Sequence, residues 1–282
     1  MNVWPKTSSD CKIFVCDTIT IISEGHAGSV VVSGSHGGLS SAKFVLGKGL
    51  LGVIFNDAGG GKDGAGIAGL DVLERAGLPA ATIGCTSARI GNGEHMWVHG
   101  RISHANPAAT ALGVRSDQKL LEAAELLYGD APVEREIEDD NVSTLLRCGA
   151  TCGDNDIVVL DSVSMLTPGD ADKIVVTGSH GGIPAGEYAI RFRPGLTVFN
   201  DAGVGCDRAG IAALTRMDAE GLAAAAIDCM TGRIGDPRDM LQHGVISFAN
   251  KAAQARGVKP GSPLSETLAK YPPTMTAADR SS

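Results

Sequence analysis

Short apolar runs alternate with helix-compatible stretches, and the whole cycle occurs twice along the chain. The first cycle opens with apolar runs at 13–22 and 29–33 and passes through Gly34-Ser35-His36-Gly37-Gly38 into a helix-compatible stretch at 39–48. A strand-like Gly-Val-Ile-Phe follows, then Asn56-Asp57-Ala58-Gly59 and a glycine-rich link to a helix-like segment at 64–76. A strand-like run at 80–85 leads through Arg89-Ile90-Gly91 into a last helical stretch. Fully apolar strands separated by helices predict parallel βαβ units with both sheet faces covered, hence a three-layer α/β sheet in each half. The run 13–22 is read as an added antiparallel edge strand. Asp63 stands where an N-cap belongs, Ile67, Leu70 and Leu73 mark an apolar stripe, and Gly77 fits a C′ position.

The second cycle is a gapless copy of the first. Residues 12–114 match 156–258, with Ser35 against Ser179, Asp57 against Asp201, Cys85 against Cys229 and His99 against His243. The fold class expected is therefore α/β, with two tandem homologous units, each a mostly parallel sheet with helices on both faces, related by a pseudo-twofold axis. The domains read as 1–128 for the first repeat, 129–155 for a connector, 156–258 for the second repeat and 259–282 for a C-terminal tail. Between the matched windows, residues 115–154 hold a predicted helix at 117–127 and then an acidic stretch (Glu-Arg-Glu-Ile-Glu-Asp-Asp), and the tail is rich in Pro, Ser and Thr. Equivalent units in one polypeptide commonly meet as isologous subunits do, so the expected site is a pocket at their seam.

Composition narrows the function classes. A hydrophobic content of 43 % supplies a core for both units, which excludes wholesale disorder. A net charge of -8 without any basic cluster argues against a nucleic-acid partner. No apolar run approaches a membrane span, and the first ten residues lack the pattern of a signal peptide, so no membrane partner and a cytoplasmic location are expected. The seven cysteines are read as free thiols. Cys148 and Cys152 have the spacing of half a metal site, but nothing nearby completes it, and a structural role is preferred. The partners expected are a small-molecule substrate and further copies of the chain in a homo-oligomer.

Four repeated polar strings follow predicted strands, where ligands bind in open α/β sheets. In the first, Ser35 and Ser179 are candidate nucleophiles, His36 and His180 candidate bases, and the amides of Gly37, Gly38, Gly181 and Gly182 candidate oxyanion donors. Neighbours in a strand point to opposite faces, so serine and histidine would pair only within a turn or across the seam. Asp57 and Asp201 are the best acid/base candidates, with Asn56 and Asn200 beside them as substrate-binding residues. The Gly59–Gly64 link lacks the order of a nucleotide-binding loop, and a substrate carboxylate at the following helix is the better reading. Asp63 and Asp207 are read as helix caps. Arg89 and Arg233 suit bidentate binding of a carboxylate. His99 and His243, with Ser103, Asn106, Ser247 and Asn250, are read mainly as pinning the last helix. A metal set drawn from His36, Asp57, His180 and Asp201 has none of the dense spacings of metal motifs, so neither metal nor cofactor is expected.

The copies also differ: Lys62 faces Cys206, Gly64 faces Arg208, Glu94 faces Arg238, His95 faces Asp239 and His104 faces Phe248. These differences would make a shared site lopsided, with Lys62 as activator of Ser35 or anion binder and Arg208 opposite as a substrate-binding group. Cys85 and Cys229 end equivalent strands and are alternative catalytic residues, the two bases of a racemase. The string Gly84-Cys85-Thr86 resembles the Gly-Cys-Thr of the aspartate/glutamate racemase group. The second copy departs from it with Asp228-Cys229-Met230, and the first-half cysteine motif of that group is absent. Internal repeats bearing Ser, Lys and Arg are similar in architecture to the cyanuric acid hydrolase and barbiturase group, which carries three units and different glycine strings. The leading expectation is an amidohydrolase that cleaves a C–N bond of a small carboxylate-bearing amide, imide or cyclic amide. A two-base cysteine racemase or epimerase is the alternative, and a non-catalytic binder of an anionic metabolite is the third.

Overall fold

The computed structural model describes residues 2–5, 12–129 and 145–272. Two compact units divide the chain. Unit 1 comprises Met1–Gly60, Gly64–Thr144 and Val204–Asp207, and unit 2 comprises Gly61–Asp63, Leu145–Gly203 and Arg208–Ser282. Residues 61–63 of the first repeat therefore belong to unit 2, and residues 204–207 of the second belong to unit 1.

Unit 1 is a six-stranded sheet in sequential order, β1 (Asn2–Pro5), β2 (Lys12–Cys16), β3 (Val30–His36), β4 (Gly52–Asn56), β5 (Ala80–Ile83) and β6 (Ile102–Ala105). Strands β2 to β5 are parallel, and β1 and β6 close the edges antiparallel. Helices α1 (Leu39–Val45) and α2 (Gly69–Arg75) cover one face; α3 (Gly93–His99), α4 (Pro107–Ala111) and α5 (Leu120–Tyr128) cover the other. The strand pleat sorts the core accordingly. Val31, Val53 and Phe55 pack with Val45, Leu70 and Leu73, whereas Val30, Val32, Ile54 and Ile83 pack with Met96, Leu120 and Leu127. Every residue of β3 and β4 is buried, as expected for parallel strands covered twice. Each large aliphatic side chain removed from water in this way contributes about 1.5–3 kcal/mol.

Unit 2 repeats the plan with β7 (Arg147–Cys152), β8 (Asn155–Leu160), β9 (Ile174–His180), β10 (Leu196–Asn200), β11 (Ala224–Ile227) and β12 (Ile246–Ala249). Here β8 to β11 are parallel and β7 and β12 are antiparallel edges. Its helices are α6 (Ile183–Phe192), α7 (Ala212–Ala219), α8 (Pro237–His243), α9 (Lys251–Gln254) and α10 (Leu264–Ala269). The expected fold class holds: this is an α/β protein of two units.

Four local expectations need correction. The run 13–22 is not an antiparallel edge strand; its first part is β2, parallel to β3, and the rest turns into a 3-10 helix, Ile19–Ile21, capped by the Thr18 hydroxyl. Residues 147–152 of the expected connector form β7, held to β8 and tied by Arg147 to the buried Asp170 at 2.6 Å. The expected loose tail folds as far as 272, because Leu264, Leu268 and Tyr271 fill the core of unit 2. The helix expected at 64–76 starts only at Gly69, so Asp63, at φ 55°, caps nothing. Its C′ glycine is as predicted: Gly77 has φ 65°, its N–H donates to Glu74 O, and Leu78 N–H donates to Leu73 O. The acidic stretch at 134–140 and residues 273–282 lie outside the described residues. Among the described residues no helix is long and apolar enough to cross a membrane.

Candidate active site

Ser35 and His36 end β3, and the pleat sends their side chains to different partners. Ser35 Oγ accepts the Ile19 N–H at 3.0 Å, pinning the 3-10 turn to the strand end. His36 Nδ1 accepts the Gly38 N–H at 3.0 Å, and its Nε2 lies 3.5 Å from Ser40 Oγ. Unit 2 repeats this: Ser179 Oγ accepts Val163 N–H at 2.9 Å, and His180 Nδ1 accepts Gly182 N–H at 3.0 Å. Burial pushes His180 down to about 4. The expected serine–histidine pairing is thus absent within each string. The glycines serve close packing as well: a Cβ on Gly37 would stand 2.6 Å from Thr82 Cγ2, and one on Gly181 2.8 Å from Gly210 O.

At the end of β4 the geometry is more suggestive. Asn56 is fully buried and stitches two loops, accepting Ala58 N–H and donating to Ala88 O; Asn200 does the same with Ala202 and Gly232. Both asparagines are structural here. Asp57 Oδ1 accepts the N–H of Gly59 at 2.9 Å and of Cys85 at 2.8 Å. Asp201 Oδ1 likewise accepts from Gly203 and Cys229, both at 3.0 Å. Burial first, then the adjacent carboxylate, pushes Cys85 up to about 11 and Cys229 up to about 12. Burial also raises Asp201, against hydrogen bonds from Ser247 and two backbone amides. Each unit therefore holds an aspartate bonded to the backbone of a buried cysteine beyond the carboxyl ends of parallel strands.

The loops after these aspartates run through left-handed backbone. Ala58, Gly59, Gly60, Gly61, Asp63 and Gly64 all have positive φ in the first repeat, and Ala202, Gly203, Val204, Gly205, Asp207 and Arg208 do in the second. For Val204 this is strained, and such strain concentrates at functional loops. Within unit 2, Lys62 N–H donates to Cys229 O at 2.7 Å, and within unit 1, Cys206 N–H donates to Cys85 O at 2.8 Å. Both cysteine backbones are thereby held by these loops.

The four positions around each arginine are equivalent in the two repeats, and two of them differ in chemistry. In unit 2, Arg233 bonds Asp63 at 2.6 and 2.9 Å and Asp239 at 3.1 Å, while Lys62 and His243 reach Asp239 at 2.8 and 3.0 Å. In unit 1, Arg89 bonds Asp207 at 2.7 and 2.8 Å, with His95, His99 and Cys206 in place of Asp239, His243 and Lys62. Lys62, expected as an activator of Ser35 or an anion binder, pairs with the buried Asp239. Arg208 stacks over the Phe248 ring, 5.1 Å from its centroid. Asp63 and Asp207, read as caps, are the arginine partners. Cys148 and Cys152 pack against the core of unit 2, in keeping with a structural role.

Two groups among the described residues have ligand atoms within 4.8 Å of one another: His95, Cys206 and Asp207 in unit 1, and Asp201, Asp228 and Cys229 in unit 2. Neither is the set considered from sequence. Sequence reasoning gave no role to Asp239 and Asp228 and read Asp63 and Asp207, identical in both copies, as caps. Asn106 and Asn250 do pin their helices, each accepting an N–H at 2.9 Å, from Ala109 and Ala253. Compared with family models, curated proteins and solved structures, the chain matches none of them.

Proposed function

We propose that the protein is an enzyme acting on a small carboxylate-bearing metabolite, with Asp57–Cys85 and Asp201–Cys229 as its acid/base groups. The observation that carries this reading is the same arrangement at the same strand end in both units, an aspartate whose Oδ1 accepts the backbone N–H of a buried cysteine. Nucleophilic cysteines are normally tuned downward. Here both thiols are tuned upward, so each rests protonated as a proton donor, and work as a base requires that the bound substrate first bring the thiol down toward neutral pH. The reaction class that fits best is proton transfer at the carbon next to the substrate carboxylate, as in a racemase or epimerase. Arg89 and Arg233 remain the carboxylate-binding groups. Asp207 beside Arg89 and Asp63 beside Arg233 are exposed, and an exposed ion pair worth about 0–1 kcal/mol is readily exchanged for a substrate carboxylate, while Arg233 keeps its second contact, to the buried Asp239.

Hydrolysis of a C–N bond is the second reading. It is favoured by the aspartate beside each thiol, which can take the proton of an attacking sulfur. The nucleophile then moves from Ser35 and Ser179, whose hydroxyls accept backbone N–H groups, to Cys85 and Cys229.

A panel of single-enantiomer 2-amino and 2-hydroxy acids incubated in deuterium oxide tests the first reading by proton NMR. Loss of the α-proton signal, abolished by Cys85→Ser or Cys229→Ser and strongly reduced by Asp57→Asn, is the expected result. Ammonia release from primary amides, or ring opening of cyclic imides to the half-amide, without exchange would replace it with the second reading, and neither outcome across both panels would end both.

A further inference from the structure

Unit 1 holds a thiol, an imidazole and a carboxylate together where unit 2 holds an ion pair. We propose that His95, Cys206 and Asp207 bind a divalent transition metal, Zn²⁺ by the chemistry of the donors. Their ligand atoms already lie within 4.8 Å of one another. Zinc bonds of about 2.0–2.3 Å in a tetrahedron need separations of about 3.3–3.8 Å, a movement within reach of side-chain rotation. Mixed sulfur, nitrogen and oxygen donors suit Zn²⁺ and disfavour Mg²⁺ or Ca²⁺.

The supports of the three ligands are on the page. His95 lies on α3 one turn before His99, and the two rings sit 4.4 Å apart, so a second imidazole stands beside the first for the fourth position. The Cys206 backbone is fixed by its bond to Cys85 O. Asp207 gives one oxygen, Oδ2, to two Arg89 nitrogens, an orienting contact of the kind that surrounds metal-bound carboxylates.

Unit 2 supplies the contrast. At the equivalent positions Lys62 places a fixed ammonium 2.8 Å from Asp239. Exchanging that lysine for Cys206 and that aspartate for His95 removes the built-in cation and installs donors for an added one. A chance meeting of polar side chains would show no saturable affinity.

The full-length protein, stripped with a chelator, is titrated with Co²⁺ alone and then with Zn²⁺. The proposal expects one Co²⁺ per chain, a thiolate-to-cobalt charge-transfer band, and loss of that band as Zn²⁺ displaces the cobalt. Cys206→Ser should abolish the band, His95→Ala should weaken binding at least ~10-fold, and Cys148→Ser should leave both unchanged. Absence of saturable binding, or a band that survives in Cys206→Ser, overturns the proposal. Cys206→Ser is a conservative change at a partly exposed position, and circular dichroism of each variant verifies its fold.

Discussion

The ammonium of Lys62 lies 2.8 Å from the carboxylate of Asp239, a residue whose side chain is only 5 % exposed. Three cationic or donor groups share that carboxylate: Lys62, Arg233 through both its side chain and its N–H, and His243. Burial alone would raise the Asp239 carboxyl, yet the Lys62 and Arg233 contacts outweigh it and hold the carboxyl below its ordinary value.

Removing Lys62 leaves a buried carboxylate short of a donor, which costs about 1–3 kcal/mol. Lys62→Met should therefore lower the urea midpoint at pH 7, and Lys62→Met combined with Asp239→Asn should recover part of the loss. A single variant as stable as the parent would show that Arg233 and His243 suffice without the lysine.

The buried His180 makes unit 2 sensitive to acid. Burial pushes it down to about 4, against an ordinary histidine value of 6.5, so the unfolded chain takes up a proton between those values that the folded chain refuses. Stability from this residue is complete above pH 6.5 and falls as pH drops toward 4, by about 3 kcal/mol in all. His180→Asn keeps an acceptor for the Gly182 N–H and has no proton to gain, so its stability should fall less over the same interval. Parallel curves for the two proteins from pH 7 to pH 4 would refute the assignment.

The alternation of apolar strands with helices was legible because parallel strands covered on both faces must be apolar along their whole length. The C′ role of Gly77 was legible because few other residues take its φ without cost. The site was harder to read. Asp63 looked like a helix cap since it precedes an apolar stripe, but a left-handed turn intervenes and carries it to Arg233. Ser35 and His36 looked like a catalytic couple since both copies keep them, whereas the pleat gives each a separate backbone partner. Asp239 had no signal at all: its counterpart is His95, and only folding reveals that both sit beside equivalent arginines.

Thr197 and Val53 occupy equivalent positions in β10 and β4, and both are fully buried. Among the described residues the Thr197 hydroxyl has no hydrogen-bond partner, a condition that costs about 1–3 kcal/mol relative to solvation in water. Thr197→Val restores the side chain that the other repeat already uses and keeps the shape. It should raise thermal stability by about 1 kcal/mol. A stability equal to or below that of the parent would mean that the hydroxyl is satisfied in solution.

Val204 and Gly60 form the same kind of matched pair, and they test whether the loop strain is real. Val204 has φ 63° and Gly60 has φ 73°. A β-branched residue in left-handed backbone is strained by about 1–3 kcal/mol, and glycine is not. A Cβ built on Gly60 meets nothing within 4 Å, so a side chain there would be opposed by backbone conformation alone. Val204→Gly should therefore stabilise the protein, by less than the full strain because glycine also loosens the unfolded chain. Gly60→Val should destabilise it by about 1–2 kcal/mol. The two changes are opposite in sign and made at equivalent positions, so denaturation midpoints moving in the same direction would show that something other than the backbone sets them.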